Sequence, residues 1–223
     1  MSLVLENIGN LLITLITVNI KLTLTAILIA FPIACLFALG RLSRNPLIYY
    51  PVTAYVNVLR SSPLLIILFW AYYTGPMITG RPSSAYTAAV IALSAFEVAY
   101  FTEIVRAGLQ AVSNRQRRAG LASGLRPMQV YIFVILPQAV RKMVPSLLTQ
   151  SIIAFQDSTI ASIISVPDIV QVTTIIVARE QRPIELYTAI AIIFLVICYS
   201  LSRLVNYLAA RSTRRIFGDA KTV

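Results

Sequence analysis

Between Leu11 and Leu39 the chain carries a single charge, Lys21. So long an apolar run is too extended for an ordinary core helix, and a bilayer-spanning helix needs about 20 such residues. Inside hydrocarbon each backbone polar group must be satisfied within its own segment, so the run has to be helical. It is long enough to tilt or to reach past the bilayer. Four more runs follow. The second extends from about Ala54 to Thr74, with Gly75-Pro76 expected to end it. The third extends from about Ala85 to Leu109. The fourth begins near Val130 or Met143 and continues to about Ile164. Pro137 and Pro145 punctuate it, which predicts a kink or two abutting helices. The fifth extends from about Leu186 to Leu208. None alternates with period two, which excludes a β-barrel. The fold class is therefore an all-α polytopic membrane protein of about five transmembrane helices, forming one domain over residues 1–223.

Charge fixes the expected orientation. The chain is 58% hydrophobic and 12% charged, against roughly a quarter charged in soluble domains. Its net charge of +11 does not point to nucleic acid, because the basic residues flank apolar runs. Twelve of them fall on one side: Arg41, Arg44, Arg115, Arg117, Arg118, Arg126, Arg141, Lys142, Arg211, Arg214, Arg215 and Lys221. Three, Arg81, Arg179 and Arg182, fall on the other. The positive-inside rule then places the loop at about 111–137 and the basic tail at 209–223 in the cytoplasm. The N-terminus and a more polar, partly helical loop at about 165–185 lie outside. Cys35 and Cys198 sit within apolar runs and read as small buried hydrophobes. Without histidine, and with so few acids, the sequence offers no metal cluster and no nucleophile–base set for a lipid-directed enzyme. The second half does not repeat the first, which counts against an inverted-repeat secondary transporter.

The loop itself is structured. Arg118 to Pro137 reads RAGLASGLRPMQVYIFVILP. Ser113-Asn114 offers a cap, Gln116 to Ser123 can form a short helix, and Gly124 can terminate it. The segment resembles the signature loop of the membrane subunits of bacterial ATP-driven importers, the ABC transporter permeases. That pattern reads Glu-Ala-Ala, three residues, Gly, nine residues, Ile, one residue, Leu-Pro. Ala119, Gly124, Leu136 and Pro137 are in register, while Arg118, Gly120 and Val134 depart from it. The resemblance implies a type I ABC importer permease fold, with a cytoplasmic coupling helix that seats in an ATPase subunit. Arg118, Ala119, Gly120, Gly124, Leu136 and Pro137 would form that coupling site. Small side chains at Ala119 and Gly120 would let the two backbones approach. The chain has no G-x-x-x-x-G-K-[ST] loop of its own, so ATP and its magnesium belong to the partner and this chain needs no cofactor.

Three further stretches resemble the permeases for polar amino acids, especially glutamate and aspartate: Tyr55 to Leu64, Phe96 to Gly108 and Phe155 to Thr159. This likeness implies a bacterial inner-membrane protein. Its partners would be an identical or homologous second permease, two ATPase subunits and an external amino acid-binding protein. An ATP-independent secondary amino acid transporter is the alternative.

Charges inside a bilayer are costly and usually have a purpose. Glu97 lies about 18 Å into the third span with no charged partner on its own helix. It either faces the translocation path and receives a substrate ammonium, or pairs with Lys21 or Arg60. Lys21 can snorkel or pair with a carboxylate. Arg60 can snorkel or gate, and Ser61, Ser62 and Pro63 beside it suggest a local break. Gln156 can hydrogen-bond a zwitterion. Asp157, with Ser158 and Thr159, reads as a helix-end cap or gate along the same path. Glu103 and Arg106 are spaced to pair locally. Trp70, Tyr72 and Tyr73 read as an aromatic belt.

Overall fold

A computed structural model describes residues 2–80, 82 and 84–217, with side chains for 6–80, 82 and 84–207. Arg81 and Lys221, and the side chains of Arg211, Arg214 and Arg215, lie outside that description. Among the described residues every regular element is helical. Four runs are long and apolar enough to cross a bilayer: Glu6–Arg41, Ala85–Gln110, Pro127–Ile164 and Pro183–Tyr207. A sharply bent pair, Pro46–Ser61 with Leu64–Thr79, brings the number to five when the two are counted as one span.

The first span joins α1 (Ser2–Thr14) to α2 (Lys21–Arg41) through a π-helical turn, Leu15–Ile20. Its inner stripe is Leu11, Leu15, Asn19, Leu22, Ala26, Ala30, Ala34 and Ala38, all buried. The four alanines recur every fourth residue, so they share one face. Small side chains let helix axes approach closely where lipid removes the hydrophobic drive. The neighbour is α5 (Ala85–Gln110), which answers with Ala88, Ala89, Ala92 and Ala99. This third span is the axis of the bundle, and its bounds agree with the apolar run.

The second span is not the straight helix expected from Ala54 to Thr74. Helices α3 (Pro46–Ser61) and α4 (Leu64–Thr79) meet at 109°. Ser62 (φ −99°, ψ 140°) and Pro63 (φ −62°, ψ 133°) are both extended at the elbow. The pyrrolidine ring pushes the residue before it out of the helical region, and Ser62 yields. Gly75-Pro76 does not stop α4, which continues to Thr79 and ends at Gly80 with φ 64°. Gly75 has no Cβ for the proline ring to strike, so the helix passes through.

The fourth span is likewise continuous, not two abutting helices. It runs through α7 (Pro127–Gln129), a π-helical turn Val130–Ile135, α8 (Leu136–Asp157) and a 3₁₀ turn, Ser158–Ile164. The wide turn lies just before Pro137, where the Leu136 N–H reaches back to the Tyr131 carbonyl. Such local π adjustment is how membrane helices absorb a missing proline donor.

The segment expected as an external loop at 165–185 contains α9 (Ile169–Glu180). It is packed: Ile169 joins Leu11, Leu15 and Phe155 in one apolar cluster. α10 (Pro183–Phe217) closes the chain and carries the predicted tail into the helix as far as Phe217. Its outward residues Ile184, Leu195 and Tyr199 are exposed, as a lipid-facing stripe requires.

Candidate functional site

Two sites emerge, at one end of the bundle and near its middle. At the end, the short helix expected over Gln116 to Ser123 is present as α6 (Asn114–Ala122), but the Ser113 side chain at its N-cap makes no capping hydrogen bond. Gly124 stops it at φ 81°. The Leu125 N–H bonds the Gly120 carbonyl at 3.3 Å and the Gly124 N–H bonds that of Leu121 at 3.1 Å. These are the paired bonds of a Schellman stop, which needs a left-handed residue where Gly124 stands.

The inner face of α6 is fastened to the fourth span. Gly120 is buried, and a Cβ there would lie 3.0 Å from Val130 Cγ2. The small residue at 120 thus serves an approach within this chain. Gln138 donates to Gln116 Oε1, and to the Val134 carbonyl at 2.8 Å. Lys142 Nζ donates to the Ala111 carbonyl at 2.6 Å. The other face of α6 presents Arg115, Arg118, Ala119 and Ala122, all exposed. Leu136 and Pro137 are exposed too, at the start of α8. The geometry is a rigid knob joined to one span.

Near mid-bundle, α5 buries Glu97 completely. Its carboxylate accepts from Gln150 Nε2 at 3.2 Å through both oxygens. Neither Lys21 nor Arg60 pairs with it. Lys21 Nζ lies 5.8 Å from the Tyr86 ring centre, and Arg60 lies 5.4 Å from that of Tyr100. Both are cation–π contacts. Tyr100 is one turn along α5 from Glu97, so the elbow of the second span brings Arg60 near the same face. Asp157 is half-buried at the end of α8, two turns beyond Gln150. Gln156 is exposed. One turn before Glu97, the buried Ser94 hydroxyl has no partner. The local pair expected at Glu103 is present, with Arg106 Nε at 3.1 Å. Arg41 joins it at 2.7 Å and ties α2 to α5. Trp70 and Tyr73 are exposed on α4.

Sequence reasoning missed two residues here. Gln150 sits on the buried stripe of α8 with Met143 and Ala154, and a polar residue on an apolar stripe was the available signal. Asn19 is fully buried in the first span's π turn. Its Nδ2 donates to Ser158 Oγ at 3.1 Å and to Asp168 Oδ2 at 3.3 Å, and its Oδ1 accepts from the Ile169 N–H at 3.2 Å. Asp168 Oδ1 also caps α9 through the Gln171 N–H at 2.8 Å. One amide side chain therefore joins the first span, the 3₁₀ turn and α9.

A bundle of apolar helices with a broken span, and a short helix clamped to one end, defines a multi-pass membrane permease subunit. Residues 8–214 match the family described as binding-protein-dependent transport system inner membrane component, and the chain belongs to that family of ABC importer permeases. The glutamate/aspartate import permease protein GltK of Escherichia coli O6:H1 is 36% identical over 204 residues, covering 88% of this chain and 91% of its own. The probable glutamine ABC transporter permease protein GlnP of Bacillus subtilis is 29% identical over 199 residues, again covering 88% and 91%. A chain from the crystal structure of an amino acid ABC transporter with histidines superposes with a TM-score of 0.84 at 31% identity, covering 92% of this chain and 97% of that one. An inward-facing MetNI methionine ABC transporter gives 0.72 at 20% identity, covering 96% and 98%, and shares the fold.

Proposed function

We propose that this chain is one permease half of an ATP-driven importer for a polar amino acid, with glutamate and aspartate as substrates. The observation that carries the reading is α6. It presents Arg118 and Ala119 outward while Gly120, Gln116 and Ala111 bind it to the fourth span. Such a knob transmits a push into the helix that also holds Gln150, Gln156 and Asp157. The relatives' names support an amino acid cargo: glutamate/aspartate for one and glutamine for another.

In this reading the N-terminus is outside and the tail cytoplasmic, as the lysine and arginine count requires. Two ATPase subunits seat α6 and its counterpart, and they supply ATP and magnesium. A second permease, identical or homologous, covers the flank on which Arg60 and Gln156 stand exposed. An external binding protein delivers the amino acid. Arg60 beside Tyr100 meets a carboxylate group, Gln156 hydrogen-bonds the zwitterion, and Asp157 guards the path. Glu97 receives the ammonium once Gln150 swings away from it.

The test is uptake into proteoliposomes holding the assembled transporter, with glutamate, aspartate, glutamine and arginine compared. ATP-dependent uptake of the two acidic amino acids is expected, reduced in Glu97→Gln. Unchanged uptake in that variant removes Glu97 from the path. Uptake that ignores ATP and collapses with an uncoupler overturns the ATP-driven reading.

A further inference from the structure

A cavity of about 660 Å³ opens beside α6 on its bundle side, and neither the coupling knob nor the mid-bundle path uses it. Its walls include Leu42, Leu109, Val112, Tyr131 and Ile135, with Arg117 among the polar groups at its edge. It lies where the first and third spans end and the fourth begins. The volume falls in the ordinary range for ligand sites, roughly 300–1,000 Å³.

Arg117 is on this side for a geometric reason. At about 100° per residue it falls near Gly120, which packs on Val130, and away from Arg115, Arg118 and Ala122 on the outer face. It makes no hydrogen bond or ion pair among the described residues, unlike Arg41 and Arg106. The chain has no acidic residue between Glu6 and Glu97, and none between Glu103 and Asp157. Every element lining the cavity comes from those stretches or their edge. The nearby carboxylate on α5, Glu103, is taken by Arg41 and Arg106. The cavity is thus half apolar, carries a free guanidinium, and has no carboxylate of its own to neutralise it.

We propose that this cavity holds an anionic phospholipid, its phosphodiester on Arg117 and its acyl chains along Leu42, Leu109 and Ile135. A guanidinium matches phosphate oxygens in a planar fork, and basic pockets between helix ends suit anionic headgroups. The apolar wall selects an amphiphile over a free phosphate. The inference does not depend on which solute the protein carries.

The experiment is native mass spectrometry of the assembled transporter, released from vesicles of mixed phosphatidylcholine and phosphatidylglycerol. Wild type should retain phosphatidylglycerol selectively. Arg117→Gln should lower that retention about fivefold, the weight of one basic residue at a membrane surface. Arg115→Gln, on the outer face, should retain it. Equal retention in Arg117→Gln and wild type overturns the proposal, and so does equal retention of the two lipids by wild type. Displacement by millimolar inorganic phosphate assigns the site to free anions and overturns it also. A photoreactive phosphatidylglycerol on the wild-type protein gives an independent reading should the variant fail to assemble. Labelling within residues 127–135 supports the site, and labelling only elsewhere removes it.

Discussion

Gly108 and Met143 meet where α5 crosses α8, so closely that a Cβ on Gly108 would lie 2.8 Å from the Met143 Cβ. The Ala139 carbonyl, one turn earlier on α8, is 3.4 Å away, so the added atom presses on α8 backbone as well as on a side chain. Overpacking of this kind costs about 1–3 kcal/mol. Gly108→Ala should lower the thermal midpoint of the detergent-purified transporter. Pairing it with Met143→Gly, which removes the Cβ in the way, should recover part of the loss, because the two sites touch and their effects will not add. Strict additivity in that cycle would show that the helices are not in contact here.

Gly120 gives a second test, with a functional readout. A Cβ at 3.0 Å from Val130 Cγ2 would lift α6 off the fourth span by a few tenths of an ångström. Gly120→Val should reduce ATP-dependent uptake while the chain still inserts, and Val130→Ala in the same chain should restore some of it. If Gly120→Val instead weakened only ATPase capture, with no rescue by Val130→Ala, the residue would belong to the outer face.

Gln150 gives the buried Glu97 its hydrogen-bond donors. Gln150→Leu leaves that carboxyl without a partner, which costs about 1–3 kcal/mol. Removing both groups in a Glu97→Met, Gln150→Leu double variant should be nearly neutral for thermal stability, since no polar atom is then stranded. A double variant as unstable as Gln150→Leu alone would contradict the pairing.

Asn19 and Asp168 give a pH-dependent test. Burial pushes the Asp168 carboxyl up from 3.8 to about 6, although the Gln171 N–H and the Asn19 amide both favour its charged form. A folded-state value above the ordinary one means the fold favours the protonated acid. That contribution is complete below about pH 4 and is lost as pH rises through about 6. Asp168→Asn should therefore flatten the melting temperature between those values relative to wild type. An identical slope in both proteins would place the titration elsewhere. Asn19→Leu, which removes the amide from Ser158, Asp168 and Ile169, should destabilise at every pH.

Much of the architecture was legible because it depends on local pattern. The third span and α6 end near the residues that composition and turn chemistry named, and Ser61 to Pro63 carried a hint of the elbow. Its angle did not show, because Pro63 opens the elbow locally while the packing of both α3 and α4 on α5 sets how far it opens. Pro76 and Pro137 misled for a related reason: Gly75 and the π turn at Val130–Ile135 absorb what a proline would otherwise break. Within the candidate sites, residue types were readable and partners were not. Glu97 stood out by depth, yet Gln150 is 53 residues away in sequence. Asn19 looked like one polar residue in an apolar run, while its partners lie near the far end of the chain.

The elbow at Ser62-Pro63 also constrains how this protein enters its membrane. Each arm has 16 residues, fewer than the roughly 20 that carry a helix across hydrocarbon unaided. Each arm on its own is therefore short of a full crossing, and the bend keeps the two from adding up to one straight span. Both arms pack on α5, so the second span leans on a helix translated after it for the surface that a straight helix would not need.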